Sequence, residues 1–361
     1  MSSRLTRATS LVPVGVRHVV GLVIASVLAF GLRWTGRRAG VALVYHTIDD
    51  REGDPTRELV PPIERSRFRR QIRHLRRRYR LVPANELTAA VAARRRGQRF
   101  PVSVTFDDDR PQQVRYAAPI LHELGVRATF FVSGSSLEDP RSYWWERVQR
   151  VVDRGIALID IRDLLPAAAA TALERSPLDV HAVGAVIEEL TPGERDEVSA
   201  KLLRLAGPDP PDAGLRAAGV VALTKADCTI GFHTRNHDKL VLLDDGQLER
   251  ALRDGCDDLE RLVGYGIDAI AYPHGAADRR VADAAKRSGY SCGFTTSPEV
   301  VTPASDPLLL GRLPTERLSS RYLALSIVRA LLRAPSGRGS EARPAGFEPA
   351  TSRSGGGRSI H

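Results

Sequence analysis

Residues 102–109 read VSVTFDDD, an alternation of apolar and small polar side chains that runs directly into three adjacent carboxylates. A period of two predicts a β-strand over 102–106 with its apolar face buried. Adjacent negative charges repel one another, and burying a carboxylate without a partner is costly. This strand end therefore needs a counter-charge from elsewhere in the chain.

Working outward, strands and helices alternate. Residues 41–47 (VALVYHT) read as a buried strand with His46 near its end. Residues 65–80 (RSRFRRQIRHLRRRYR) carry Phe68, Ile72, Leu75 and Tyr79 at helical spacing, which predicts an amphipathic helix with a solvated arginine face. A short strand at 81–82 and a helix at 84–93 follow, then the strand at 102–106 and a helix over 111–124 closed by Gly125. Further strands are expected at 128–132, 229–232, 269–272 and 291–295, with helices at 245–262 and 278–288. Regular alternation of this kind predicts a parallel sheet, open or closed into a barrel. Residues 140–227 are Ala/Leu-rich, with the loop GPDPPDAG at 207–214, and read as a helical insertion over one edge of the barrel.

The 361 residues are 42% apolar and 27% charged, as in a soluble globular protein with a sizeable core. Cys228, Cys256 and Cys292 show no CxxC spacing, which argues against a disulfide framework and a thiolate zinc site. Any metal then falls to histidines and carboxylates. The net charge of +10 sits at the ends: six arginines and no acid in residues 1–40, and +3 in residues 331–361. That leaves about +1 for residues 41–330, so no nucleic-acid partner is expected.

Residues 19–32 (VVGLVIASVLAFGL) are uncharged between Arg17 and Arg33. This stretch is shorter than the roughly 20 residues of a spanning helix and suits a signal-peptide core, an interfacial helix or a packed helix. The segment 1–38 is therefore expected to be a signal, membrane-associated or packed, in a membrane-associated or extracytoplasmic setting, with the catalytic domain over 39–335. Residues 336–361 are Gly/Ser/Arg/Pro-rich and expected to be disordered. Within them Gly-Phe-Glu-Pro is what a transfer-RNA T arm encodes, which suggests read-through from about residue 343.

Two more strand ends carry chemistry. IGFHTRNH (230–237) ends in His233 with His237 four residues later, and AYPHG (271–275) presents His274 on a Pro-Gly turn. In a parallel βα barrel all strand C-termini open on one face, where active sites are built. Asp107, Asp108, His233, His237 and His274 would share that rim, beside His46. Two imidazoles and one carboxylate leave coordination positions open, as in a catalytic metal site. A second carboxylate beside them can accept a proton from water.

TFDD, then PILHELGVRATFFVSG, GFHTRNH and AYPHG in that order resemble the polysaccharide deacetylase (NodB-homology, carbohydrate esterase family 4) domain over residues 40 to about 316. The resemblance implies a distorted (β/α) barrel of the NodB-homology type and metal-dependent removal of acetyl groups from N-acetylated glycans. It implies Asp107 as general base and Asp108, His233 and His237 as ligands of a divalent metal. Zinc is the first expectation, and cobalt, nickel or manganese are compatible with the ligand set. The backbone N–H of His274 would stabilise the oxyanion, and Thr234, Tyr272 and Asp109 are candidate substrate contacts. Three departures stand out. Asp109 occupies the usual glycine position, with Arg110, Arg235 or a sugar hydroxyl as candidate partners. Ala271 stands where the family has an arginine that orients the base, a role for which Arg312 in GRLP is a candidate. No Leu-x-x-His motif supplies the acid, leaving His274, then His46, as substitutes. The missing histidine would also suit an O-acetyl esterase on this scaffold, or an inactive glycan-binding homologue.

Overall fold

Strand β1 (Val41–Tyr45) is buried throughout and pairs in parallel with β2 (Pro101–Phe106), Val41 opposite Val102 and Tyr45 opposite Phe106. Five more parallel strands follow: β3 (Thr129–Val132), β4 (Thr229–Phe232), β5 (Ala269–Ala271), β6 (Cys292–Phe294) and β7 (Arg312–Pro314). They run in the order β7-β1-β2-β3-β4-β5-β6, and a parallel bridge between Phe294 and Leu310 nearly joins the two ends into a barrel. This computed structural model describes residues 14–174, 177–316 and 318–335. The expected tail at 336–361 lies outside the described residues.

Alternation along β2 sets up the site. Val102, Val104 and Phe106 join the main core under the outer helices, and Phe106 stacks on Phe130 at 4.5 Å between ring centroids. Ser103 and Thr105 point the other way, into the barrel, and Asp107 continues their phase just past the strand. A second cluster containing Ala42, Phe131, Ala271, Phe294 and Leu310 fills the interior.

The arginine-rich helix runs from Arg65 to Arg78, with Phe68, Ile72 and Leu75 fully buried. The 111–124 helix opens with a wide turn over Gln113–Ala117 before Ala118–Glu123. The expected helix at 245–262 is two, Asp245–Ala251 and Cys256–Val263, because Gly255 between them has φ 87°. Strand β7 was not anticipated: three residues ending in proline carry no alternation to read.

Between β3 and β4, helices Trp144–Asp153, Leu158–Arg162, Ala167–Leu173, Val180–Glu188 and Pro192–Ala206 share their own core, centred on Val148, Val151, Val183, Ile187 and Leu202. The last helix before β4, Ala217–Lys225, packs Val220 and Leu223 into the barrel core. The N-terminal helix Val14–Leu32 buries Ala25, Ala29 and Leu32 and packs along the helix Ser320–Arg333. Among the described residues no helix is long and apolar enough to cross a membrane.

Candidate active site

The strand ends of β2, β4 and β5 bring Asp107, Asp108, His233, His237 and His274 to one cavity of about 340 Å³, which His46 also lines. Five of its neighbouring backbone positions hold positive φ without being glycine: Asp108 (74°), Asp109 (44°), Thr234 (54°), His237 (53°) and His274 (58°). Such conformations cost on the order of 1–3 kcal/mol each and persist where surrounding structure enforces them. Gly275 follows with φ 67°, where a Cβ would meet the Thr296 backbone nitrogen at 2.5 Å, so only glycine fits that turn.

Asp107 is gripped by Arg312. The guanidinium donates to both carboxylate oxygens, at 2.8 and 2.7 Å, to the Thr105 hydroxyl at 3.2 Å and to the Thr295 carbonyl at 3.1 Å. Burial alone would raise the Asp107 pKa, but Arg312, joined by His233 and His46, outweighs it and holds the carboxyl below the usual range. Arg312 thus supplies the counter-charge that the end of β2 requires.

Asp108 faces two imidazoles. Its Oδ1 lies 3.3 Å from Nε2 of both His233 and His237. His233 Nδ1–H donates to the Ala271 carbonyl at 2.8 Å, which orients the ring with Nε2 facing Asp108. The three donor atoms lie within 4.8 Å of one another in a buried group that can hold a metal ion. Oxygen and imidazole donors at this spacing fit a divalent ion.

The third aspartate finds a different partner from those expected. Asp109 accepts from the Ser133 backbone N–H at 2.7 Å and the Ser133 hydroxyl at 2.6 Å, and burial still pushes its carboxyl up to about 6. Arg110 pairs instead with Glu146, and Arg235 with Asp258. Asp109, Thr234 and Tyr272 are buried and absent from the cavity lining, and the Tyr272 hydroxyl donates to the Leu308 carbonyl.

His46 Nδ1 lies 2.6 Å from Glu316 Oε1; burial disfavours the charged ring, but Glu316 overcomes it and raises the pKa to about 9. His274 Nδ1 stands 3.4 Å from Glu188 Oε1, while its buried Nε2 has no hydrogen-bond partner among the described residues. Burial, with His237 and Arg195, pushes the His274 pKa well below the usual value. The insertion also supplies Trp144, Trp145, His181 and Glu188 to the cavity. Trp145 both packs in the insertion core and lies 4.6 Å from the His237 ring. Sequence reasoning missed Glu188 because it sits on an ordinary amphipathic helix, and nothing local marks the turn that faces the rim.

The family model "Polysaccharide deacetylase" matches residues 94–160 and 180–293, just over half of the chain. No curated protein matches. Among solved structures, the Streptococcus pyogenes deacetylase PplD, in complex with acetate, is 18% identical with a TM-score of 0.55, covering 80% of this chain and 98% of that one. IcaB from Ammonifex degensii is 18% identical with a TM-score of 0.53, covering 81% of this chain and 98% of that one. At that identity the likeness concerns the fold, and both share the barrel. The family match, with its motifs meeting at one cavity, leads to one conclusion: the chain belongs to the polysaccharide deacetylase family of carbohydrate-deacetylating hydrolases.

Proposed function

We propose that the chain hydrolyses the acetamide of N-acetylated sugars in a glycan, with Asp107 as general base and a divalent metal, zinc first, held by Asp108, His233 and His237. The observation that carries this reading is the separation of two adjacent carboxylates, one locked to a guanidinium and one facing two imidazoles. A divalent ion in such a group supplies Lewis-acid polarisation and acidifies water towards a pKa of roughly 7.

Asp107 does the proton work. Arg312 keeps it ionised and fixes its plane, and each carboxylate oxygen retains a second lone pair for an incoming proton. The His274 backbone N–H is the candidate oxyanion donor, a contribution commonly worth about 3–4 kcal/mol. His274, which lines the cavity with Glu188 beside its Nδ1, is the candidate acid for the leaving amine once the ring has taken up the proton released by the attacking water. Trp145 and Glu188, which line the cavity, are further candidate substrate contacts beside Thr234, Tyr272 and Asp109. A glycan substrate and an apolar N-terminal helix suit a membrane-associated or extracytoplasmic setting.

The test is acetate release from N-acetylglucosamine oligomers by the full chain, after chelation and after zinc is restored, beside Asp107→Asn. Zinc-dependent release abolished in the variant supports the reading. Release only from an O-acetylated oligosaccharide would assign an esterase, and no release from either, with no metal bound, would mark a glycan-binding homologue.

A further inference from the structure

The N-terminal helix buries only one side. Its other side exposes Val19, Val20, Val23, Ile24, Val27, Leu28 and Phe30, each between 41% and 64% accessible, with no charge between Arg17 and Arg33. These positions recur at three- and four-residue steps, so they form one continuous apolar stripe. Contiguous exposed apolar surface on this scale marks an interaction site. Because the opposite side packs along Ser320–Arg333, the helix lies against the protein rather than free to cross a bilayer.

Beside the stripe runs the arginine-rich helix Arg65–Arg78. The two helices enclose a groove of about 560 Å³, with Val23, Val27 and Phe30 on one wall and Arg70, Arg73 and Arg77 on the other. Among the described residues Arg70, Arg73, Arg77 and Arg78 enter no ion pair; Arg70 donates only to the Ser66 hydroxyl. In the first two turns of the same helix Arg65 pairs with Asp50, Arg67 with Glu52 and Arg69 with Glu123, whereas the arginines that line the groove beside the apolar stripe have no acid among the described residues.

We propose that this composite face docks onto an anionic lipid bilayer, the stripe from Val19 to Phe30 entering the acyl boundary and Arg70, Arg73, Arg77 and Arg78 meeting lipid phosphates. An apolar helix lying in the interface beside clustered guanidinium groups is the arrangement that such a surface binds. A second copy of this chain covers the stripe less well, since it brings the same unpaired arginines and no complement to them. This inference is independent of the catalytic reading.

The experiment is sedimentation of the full chain with vesicles of phosphatidylcholine alone and of phosphatidylcholine with 30% phosphatidylglycerol, in ~0.1 M salt where surface charges still act over about 10 Å. The wild-type chain is expected to bind the anionic vesicles far more tightly. Each arginine near an anionic surface is worth about five-fold, so Arg73→Gln/Arg77→Gln/Arg78→Gln should weaken binding roughly 100-fold. Val23→Ser/Val27→Ser should weaken it on both vesicle types. Circular dichroism and hydrolysis of a soluble substrate, unchanged in both variants, keep misfolding from imitating the result. Equal binding to neutral and anionic vesicles would overturn the proposal. So would absence of binding together with concentration-dependent dimerisation that Val23→Ser/Val27→Ser abolishes, which would assign the face to a second copy.

Discussion

Arg312 and Asp107, 205 residues apart in the chain, form a two-pronged ion pair inside the barrel, with no solvent access to the guanidinium. Removing one member of a buried pair strands the other, typically at about 3–5 kcal/mol. Arg312→Met should lower stability by about that amount in denaturant unfolding. It should also cut kcat more than it raises KM, because the base loses its orientation. Arg312→Lys should fall between, keeping the charge but not the fork. Wild-type kcat in Arg312→Met would sink the role given to this pair.

The Asp108, His233 and His237 group predicts a loss of metal together with a loss of chemistry. His233→Ala or His237→Ala should reduce bound zinc, measured by elemental analysis, from one per chain to a trace. Acetate release should fall more than ~100-fold, beyond what loss of a supporting hydrogen bond around a metal causes. Full activity in a zinc-free His237→Ala protein would remove the metal from the mechanism.

His46 and Glu316 predict a pH signature. The folded chain holds the His46 proton up to about pH 9 because Glu316 sits beside it, whereas an unfolded histidine releases it near 6.5. The pair's contribution is therefore complete below about pH 6.5 and fades as pH rises through about 9. Glu316→Gln should be less stable than wild type in urea at pH 6, with the gap closing towards pH 10. A gap independent of pH would mean that the ring is not charged in the fold.

Asp209 anchors the insertion. Its carboxylate accepts from Arg147 at 2.6 and 3.2 Å, from Arg150 at 2.6 Å and from the Ser142 N–H at 3.1 Å. Burial opposes the charge, but these donors lower the pKa to about 2. The stabilisation should be present above about pH 4 and lost as pH falls towards 2. Asp209→Asn should cost about 1.5–3 kcal/mol at neutral pH, as for hydrogen bonds to charged groups, and nothing extra at pH 2. Limited proteolysis of the 207–214 loop, faster in the variant, provides a second readout.

Much of the barrel was legible because it is written locally. The alternation in VSVTF and the short apolar runs before GFHTRNH and AYPHG each name a strand and the group at its end, and topology brings those ends together. What escaped was written across distance. Arg312 was a candidate by its motif, but the three-residue strand that carries it has no periodicity and lies beyond the last residue of the family match. Ser133, which neutralises the demand of Asp109, follows a different strand and looks like any small loop residue. Glu188 reaches the cavity only because the insertion folds back over the rim. Periodicity reports which face of an element is buried, and it says little about which distant side chain will share that burial.

The Arg312–Asp107 contact also sets a clock on biosynthesis. A ribosome that adds about 5–20 residues per second releases Asp107 roughly 10–40 s before its counter-ion. Through that interval β1 has an unpaired edge awaiting β7, and an acidic cluster sits over a cavity that cannot yet close. The nascent barrel is thus a sticky, charge-frustrated half-cylinder until its last strand arrives. Expression yield should be governed by what shields that open seam during translation rather than by the stability of the finished fold.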